Sequence, residues 1–565
     1  MSKQILIGTD SFEKLIEGDY FYIDKTLLIK ELLERRGETT LITRPRRFGK
    51  TLNMSMMRSF FDVTRDGSHL FDGLKIMEYK DIVEKHMGKY PVIFMTLKDV
   101  EKRTFEGSTE NMRDLISALY KKHLYILESD RLDETEKKMF MLFRRGETSD
   151  GRLETAVQYL MNCLHAYHGK KVVVLIDEYD APINNALIEG YYPQMIKFMR
   201  GFLGGAFKSN DHLEFGVLTG VNRISKEGLM SGFNNPRVFG IANDEFATCY
   251  GFTEEEVKQA CEDYGHGYRF PDVKKWYDGY RFGQVQDMYN PWNITHFLKR
   301  GVFANYWANT GDVTILENIF FKGPDALKND MAGLLTDIPV KMDYDEQVTY
   351  PIIYKNNSAF WTILFNAGYL KPCVGSTEER FYVEPVNREV KNMFARCIDR
   401  WFTVQQPAIH DTILEFVGHL MSGDAEAVKR TLNEDLLNNP SCHDFTTENS
   451  YHMFIYGILL AVYRDYVVIS NQESGKGRSD CMIKPDDKGK SAVVVEFKHL
   501  KELPADSASE QRGLEEEAQK GLEQIMEKAY IHNLKKEGYT NILSYGIAFR
   551  KKSCEVAMKG THPIQ

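Results

Sequence analysis

The chain has 565 residues, 43% of them hydrophobic and 27% charged, with a formal net charge of −9. That length exceeds what one hydrophobic core organises, so two to four domains are expected, and the composition excludes a disordered, collagen-like or simple-repeat chain. The negative balance excludes a protein-wide basic field, so any nucleic acid must be met by a local patch.

The first residues, Met1-Ser2-Lys3-Gln4-Ile5-Leu6-Ile7-Gly8, lack the apolar run of a signal peptide. The most apolar short run, Val172 to Ile176, is bounded by Lys170, Lys171 and Asp177 and is too short to span a bilayer. The eight cysteines include no CxxC pair and no metal-ligand cluster. Free buried thiols in a cytoplasmic protein with no membrane partner are the expectation.

In chain order, a helical pattern runs from Leu27 to Arg36 and is broken by Gly37. Thr39 to Thr43 is a β-type run. The loop Arg44-Pro45-Arg46-Arg47-Phe48-Gly49-Lys50-Thr51 follows, then a helical run from Leu52 to Phe61. Strand, loop and helix in that order are the setting a phosphate-binding loop requires. Tyr90 to Met95 reads as another strand, and residues from about 108 to 168 read as mostly helical. Val172 to Ile176 is β-branched and apolar throughout, as in a parallel strand buried on both faces. His212 to Gly220 adds one more strand. Strands alternating with helices imply a three-layer α/β domain over residues 1–250.

From Thr253 the pattern changes. Thr253 and Glu256 fit a helix-opening capping box, and Tyr277-Asp278-Gly279-Tyr280 and Tyr289-Asn290-Pro291-Trp292 are aromatic and turn-rich. A helical or winged-helix lid is expected over 251–335, followed by a connecting region of open role over 336–430. Residues 431–565 then read as helix (Tyr451 to Tyr463), strands (Tyr466 to Ser470, Ser479 to Lys484, Ser491 to Lys498), helix (Gln511 to Tyr530) and strand (Ile542 to Arg550). The long helix carries Ala518, Leu522, Ile525 and Ala529 as an apolar stripe.

Two groups of residues have the chemistry to act on phosphates. In the first, Gly49 permits close backbone approach, Lys50 suits the β- and γ-phosphates of ATP, and the Thr51 hydroxyl suits Mg²⁺. Arg46, Arg47 and Phe48 complete the cradle. Asp177, ending a buried strand, would hold Mg²⁺, and Glu178 would polarise the attacking water. Arg44 departs from the general pattern, which has glycine there. In the second group, Asp480 sits on one strand and Glu496 and Lys498 on the next. Residues two apart on a strand share a face, so the two carboxylates and the lysine can meet around Mg²⁺ or Mn²⁺ and cut a phosphodiester. Lys476, Arg478, Lys484, Lys488, Lys490, Lys498 and Lys501 form a basic cluster nearby, which reads equally as a solvated surface.

The loop Arg44 to Thr51 resembles that of the AAA-ATPase-like family, relatives of the archaeal-type ATPases, whose members commonly carry a C-terminal PD-(D/E)XK nuclease domain. Tyr22-Ile23-Asp24-Lys25-Thr26, Ser231-Gly232-Phe233-Asn234-Asn235, Tyr277-Asp278-Gly279-Tyr280 and Tyr289-Asn290-Pro291-Trp292 are similar to further motifs of that family. The resemblance implies that arginine is usual at the first loop position. It implies a polar sensor at the end of the next strand, for which Thr219 fits; Arg223 reads equally as a group approaching the γ-phosphate and as an exposed arginine with no catalytic role. Gly477 to Asp480 with Glu496-Phe497-Lys498 resembles the paired nuclease domain. That implies an acidic metal ligand on its first helix, where Glu448 fits, and a polar group on the later helix, where Gln524 fits.

The residues leave three readings open. The first is an ATP-regulated, metal-dependent nuclease acting on DNA, with a homo-oligomer, in which Arg46 or Arg47 would reach a neighbour's phosphate, left open. The second is a nucleotide-switched scaffold or nucleic-acid-binding protein with a silent or tightly gated nuclease fold. The third is an RNA-cutting enzyme.

Overall fold

A computed structural model describes residues 2–208, 210–224, 236–308, 325–335, 338–344, 357–373, 375–376, 381–405, 407–436, 466–474, 477–485, 487–500, 506–527, 531–551 and 553–561. The chain forms two compact units. One comprises Met1–Asp312 with Lys341–Glu389, the other Val313–Val340 with Val390–Gln565. The region read as one connector over 336–430 is thus shared between the two.

The first unit is built on five parallel strands: β1 (Thr39–Thr43), β2 (Val92–Thr96), β3 (Val172–Asp177), β4 (Leu213–Gly220) and β5 (Arg237–Phe239), in the spatial order β2-β3-β4-β1-β5. Parallel strands need crossovers, and the helices between them cover both faces. Every residue of β1 and β3 is buried as a result. The order places β4 between the phosphate-loop strand and the Asp177 strand. Ile42 pairs with Thr219 and Ile176 with Leu218, so the three strands end together at one edge. Ligands of such sheets bind beyond the carboxyl ends of the strands.

Beyond the sheet come helix Glu254–Asp263, helix Phe270–Tyr277, a hairpin of β6 (Tyr280–Phe282) and β7 (Val285–Met288), and helix Pro291–Arg300. Thr253 and Glu256 form the expected reciprocal capping box. Glu256 also accepts from Lys25 Nζ at 2.7 Å, so the Tyr22-to-Thr26 motif is tied to this region. Strand β8 (Val340–Lys341) precedes helix Asn357–Asn366 and the antiparallel pair β9 (Leu370–Pro372) and β10 (Tyr382–Pro385). Glu389 anchors this last stretch. It is fully buried and accepts from Asn293 Nδ2 at 2.5 Å and from the amides of Trp307 and Ala308 at 2.7 and 3.0 Å. Three donors offset the desolvation that an isolated buried carboxylate would suffer.

The second unit carries a mixed sheet, β11 (Tyr466–Ser474), β12 (Gly477–Pro485), β13 (Ala492–His499), β14 (Ile542–Arg550) and β15 (Ser553–Thr561), hydrogen-bonded in that order. β13 and β14 are parallel and the other pairs antiparallel. Helix Ser507–Glu527 lies against β13 and β14, burying Leu514, Ala518, Leu522 and Ile525. Close approach is possible because Gly546 has no side chain: a Cβ there would stand 2.0 Å from the Ala518 carbonyl oxygen. Both units are α/β, as the residue pattern predicts. The helix expected over Tyr451 to Tyr463 lies outside the described residues, and β5 and β15 are additions to the predicted elements.

Candidate active sites

The first site opens where β1 ends. The Arg44 amide donates to the Gly220 carbonyl at 3.1 Å, and the chain then turns into helix Lys50–Phe61. Gly49 takes φ +83°, with no atom within 4 Å of where a Cβ would stand, so glycine supplies backbone freedom there rather than space. Arg47 holds φ 65° despite its Cβ, a conformation that costs about 1–2 kcal/mol.

Arg44, which departs from the general pattern, is 0% exposed. Its Nη1 donates to the carbonyls of Thr43, Phe239 and Gly240 at 2.8, 3.2 and 2.9 Å, and its Nη2 to that of Glu245 at 3.0 Å. Burial lowers its pKa to about 10, so the group stays charged at neutral pH. A planar fork with several donors suits this work in a way glycine or lysine cannot. Arg44 ties the start of the loop to the end of β5 and to the turn after it.

Lys50 is buried. Its Nζ donates to the carbonyls of Arg44 and Pro45 at 3.3 and 3.2 Å and lies 3.4 Å from Glu178 Oε1. Asp177 joins three elements: Thr51 Oγ1 donates to its Oδ2 at 2.6 Å, and Thr219 Oγ1 to its Oδ1 at 2.5 Å. Burial and then the Glu178 charge raise the Asp177 pKa, while the two hydroxyls and Lys50 oppose them. A hydroxyl paired with a carboxylate is a donor set that a hard divalent cation accepts. Glu178 takes φ 52°, a strained value for a residue with a side chain.

Phe48 departs from the expected cradle. Its ring is 1% exposed and packs edge-on against Tyr280 and Phe282 at 4.8 and 5.3 Å between centroids. Only its backbone can serve the loop, because the ring contributes more by filling the core below. The Arg46 carbonyl accepts from Asn290 Nδ2 at 3.2 Å and Trp307 Nε1 at 3.1 Å. The Arg47 guanidinium lies 4.3 Å from the centre of the Trp292 ring. The Tyr289-to-Trp292 motif therefore braces the loop, a role its turn chemistry does not announce. Arg223 is partly buried close to the Tyr179 phenol. Sequence reasoning missed Asp180. This buried carboxylate accepts the amides of Val221 and Asn222 at 3.1 and 2.9 Å, fixing the turn after β4. Burial, then Glu178, push its pKa up to about 6.

The second site lies where the pairing of β12 with β13 stops. The pairing runs through Cys481↔Val495, and beyond it the Phe497 amide donates to Asp480 Oδ2 at 2.8 Å. Asp480 is thereby brought beside Glu496. Glu496 is 2% exposed; its Oε1 accepts from Lys498 Nζ at 3.3 Å and from Gln524 Nε2. Its Oε2 is buried and has no hydrogen-bond partner. Burial, then the Asp480 charge, push the Glu496 pKa up to about 7, with Lys498 pulling it down. An orphaned buried oxygen beside a second carboxylate costs free energy unless a cation completes it, so these residues fit a divalent metal.

The structure thus brings Asp480, Glu496, Lys498 and Gln524 together. Glu448 and Ser231 to Asn235 lie outside the described residues. The basic cluster divides: Lys484 is buried and paired with Glu537 at 2.9 Å, Lys488 is exposed and donates to the Glu537 carbonyl, and Lys476 and Lys501 lie outside the described residues. Among the described residues, no helix is long and apolar enough to cross a membrane.

Residues 6–230 match the family model described as predicted AAA-ATPase, and residues 446–559 match that of the PD-(D/E)XK nuclease superfamily. An uncharacterized protein in the vnfD 5'region of Azotobacter chroococcum mcd 1 is 29% identical over 322 residues, which is 56% of this chain and 56% of that protein. The match therefore spans little more than half the length of that relative. The chain carries a predicted AAA-ATPase region over residues 6–230 and a PD-(D/E)XK nuclease superfamily region over residues 446–559.

Proposed function

We propose that this protein binds and hydrolyses ATP and, under that control, cuts the phosphodiester backbone of DNA. The observation that carries the reading is the orphaned Glu496 Oε2 beside Asp480 and Lys498, in a chain that also carries the Lys50–Thr51–Asp177 constellation.

At the first site, Lys50 would exchange its carbonyl and Glu178 contacts for the β- and γ-phosphates. Thr51 and Asp177 would hold Mg²⁺. Thr219 keeps Asp177 oriented through its hydrogen bond. Glu178, released from Lys50, would take the proton of the attacking water. At the second site, Asp480 and Glu496 would hold Mg²⁺ or Mn²⁺, and Lys498 would orient water for in-line attack. Gln524 fixes the Glu496 carboxylate from the neighbouring helix. At each site the metal, when bound, would neutralise phosphate charge and lower the pKa of coordinated water.

The test is cleavage of linear, circular and single-stranded DNA, and of RNA, with Mg²⁺ or Mn²⁺. Each substrate is run without nucleotide, with ATP and with a non-hydrolysable analogue, beside Asp480→Ala. Cutting that is lost in Asp480→Ala and changes with nucleotide supports the proposal. Cutting of RNA alone replaces the DNA reading. No cutting of any substrate favours the nucleotide-switched scaffold.

A further inference from the structure

A phosphate loop accounts for the triphosphate but not for the base. Within the loop, the Arg44 and Phe48 side chains are buried in the protein, so neither is open to a base. The base must therefore be met by a neighbouring element.

Trp292 is held next to the loop by its own motif. Asn290 caps the Trp292 amide at 2.9 Å and donates to the Arg46 carbonyl at 3.2 Å. The indole Nε1 donates to the Tyr306 carbonyl at 3.2 Å, which sets the ring's plane. His296 packs on the indole at 4.7 Å, and Tyr306 stacks on His296 at 4.8 Å. Gly8 passes the ring's edge: a Cβ there would lie 3.9 Å from it. The ring is thus rigid and only partly buried, and the exposed Arg47 side chain lies over it.

We propose that the Trp292 indole is the platform for the purine base of the nucleotide, uncovered when Arg47 turns to the phosphates. This rests on the ATP-binding reading of the loop. A guanidinium over a partly exposed ring is a weak contact, and a charge-assisted pair with phosphate is stronger. Arg47 belongs to the loop itself, so phosphates entering the loop offer it that better partner. The vacated indole then presents a π-face beside the site. Stacking on an aromatic face tolerates any base; a purine presents the larger π-face and stacks more strongly, so a purine nucleotide is the favoured ligand, with little further discrimination from the stack itself.

The test compares binding of Mg·ATP and of Mg·tripolyphosphate, which has no base, by calorimetry on the full chain. Wild type, Trp292→Leu and Trp292→Phe are measured. In Trp292→Leu, ATP affinity is expected to fall about tenfold while tripolyphosphate affinity stays within about twofold. Trp292→Phe keeps a smaller ring and is expected to lower the ATP-to-tripolyphosphate ratio less; it decides the matter if Trp292→Leu does not fold. An unchanged ratio in the variants overturns the inference, as does a parallel loss of both ligands, which would mean that Trp292 only braces the loop. Wild type binding tripolyphosphate as tightly as ATP overturns it and leaves the phosphate site standing. Wild type binding neither ligand overturns the nucleotide reading and this inference with it.

Discussion

Lys50 Nζ stands 3.4 Å from Glu178 Oε1, so the lysine expected to hold phosphate and the glutamate expected to activate water hold each other. Neither can do its own work in that arrangement. Phosphates entering the loop compete with Glu178 for Lys50, and success frees both groups.

Separate roles for the two residues predict separate defects. Lys50→Ala should abolish nucleotide binding, because the loop loses its phosphate cation. Glu178→Gln should keep or slightly strengthen binding, since no carboxylate then competes for Lys50, while turnover falls roughly 10²–10⁴-fold. Calorimetry with ATP and a phosphate-release assay measure the two effects. Equal ATP affinity in Lys50→Ala and wild type would remove the assignment.

Arg44 should be a stability residue before it is a binding residue. Arg44→Met keeps volume but leaves the carbonyls of Phe239, Gly240 and Glu245 without their buried donor. A loss on the order of 3 kcal/mol is expected, concentrated in β5 and the turn after it. Hydrogen exchange at residues 237–246 reports it. Unchanged protection there would show that the clamp is dispensable.

At the nuclease site, Asp480→Ala, Glu496→Ala and Lys498→Ala should each remove cleavage and leave the fold intact. Gln524→Ala should lower it by about 10–100-fold, as loss of a group that only orients a metal ligand does. Cleavage of a fluorescent DNA duplex, with circular dichroism as the folding control, distinguishes the two classes. Metal-dependent cutting by Glu496→Ala would place the catalytic centre elsewhere.

Metal affinity at that site should depend on pH in a stated direction. The Glu496 pKa is raised to about 7 by burial and by Asp480, and a carboxylate must be ionised to bind metal. Below about pH 7 the proton competes, so affinity rises with pH; above it, affinity levels off. In Glu496→Gln the rise should vanish. Titration of the metal-free protein with Mn²⁺ between pH 5.5 and 8.5 measures the profile, and a flat wild-type curve would contradict it.

Much of the α/β scaffold was legible in the residues because its signals are local. The unbroken apolar run Val172 to Ile176 is intelligible only as a strand buried on both faces, and it is one. Thr253 and Glu256 announce a capping box three residues apart, and it forms. β5 was not legible: Arg237–Phe239 is three residues long and owes its place to pairing with β1. β15 was obscured by Glu555, a charge that turns inward to meet Lys429 at 2.5 Å.

The sequence by itself determined which groups could do phosphate chemistry and on which elements they ride, because side-chain identity and spacing along one element are local facts. Only the tertiary structure decided which groups meet. It gathered Thr51, Asp177 and Thr219 from three elements onto one carboxylate, and brought Gln524 to Glu496 across a glycine contact. It also turned Phe48 into the core and Arg44 into a clamp on distant carbonyls. Those outcomes depend on strand order and helix approach, which are settled by long-range packing that no local pattern encodes.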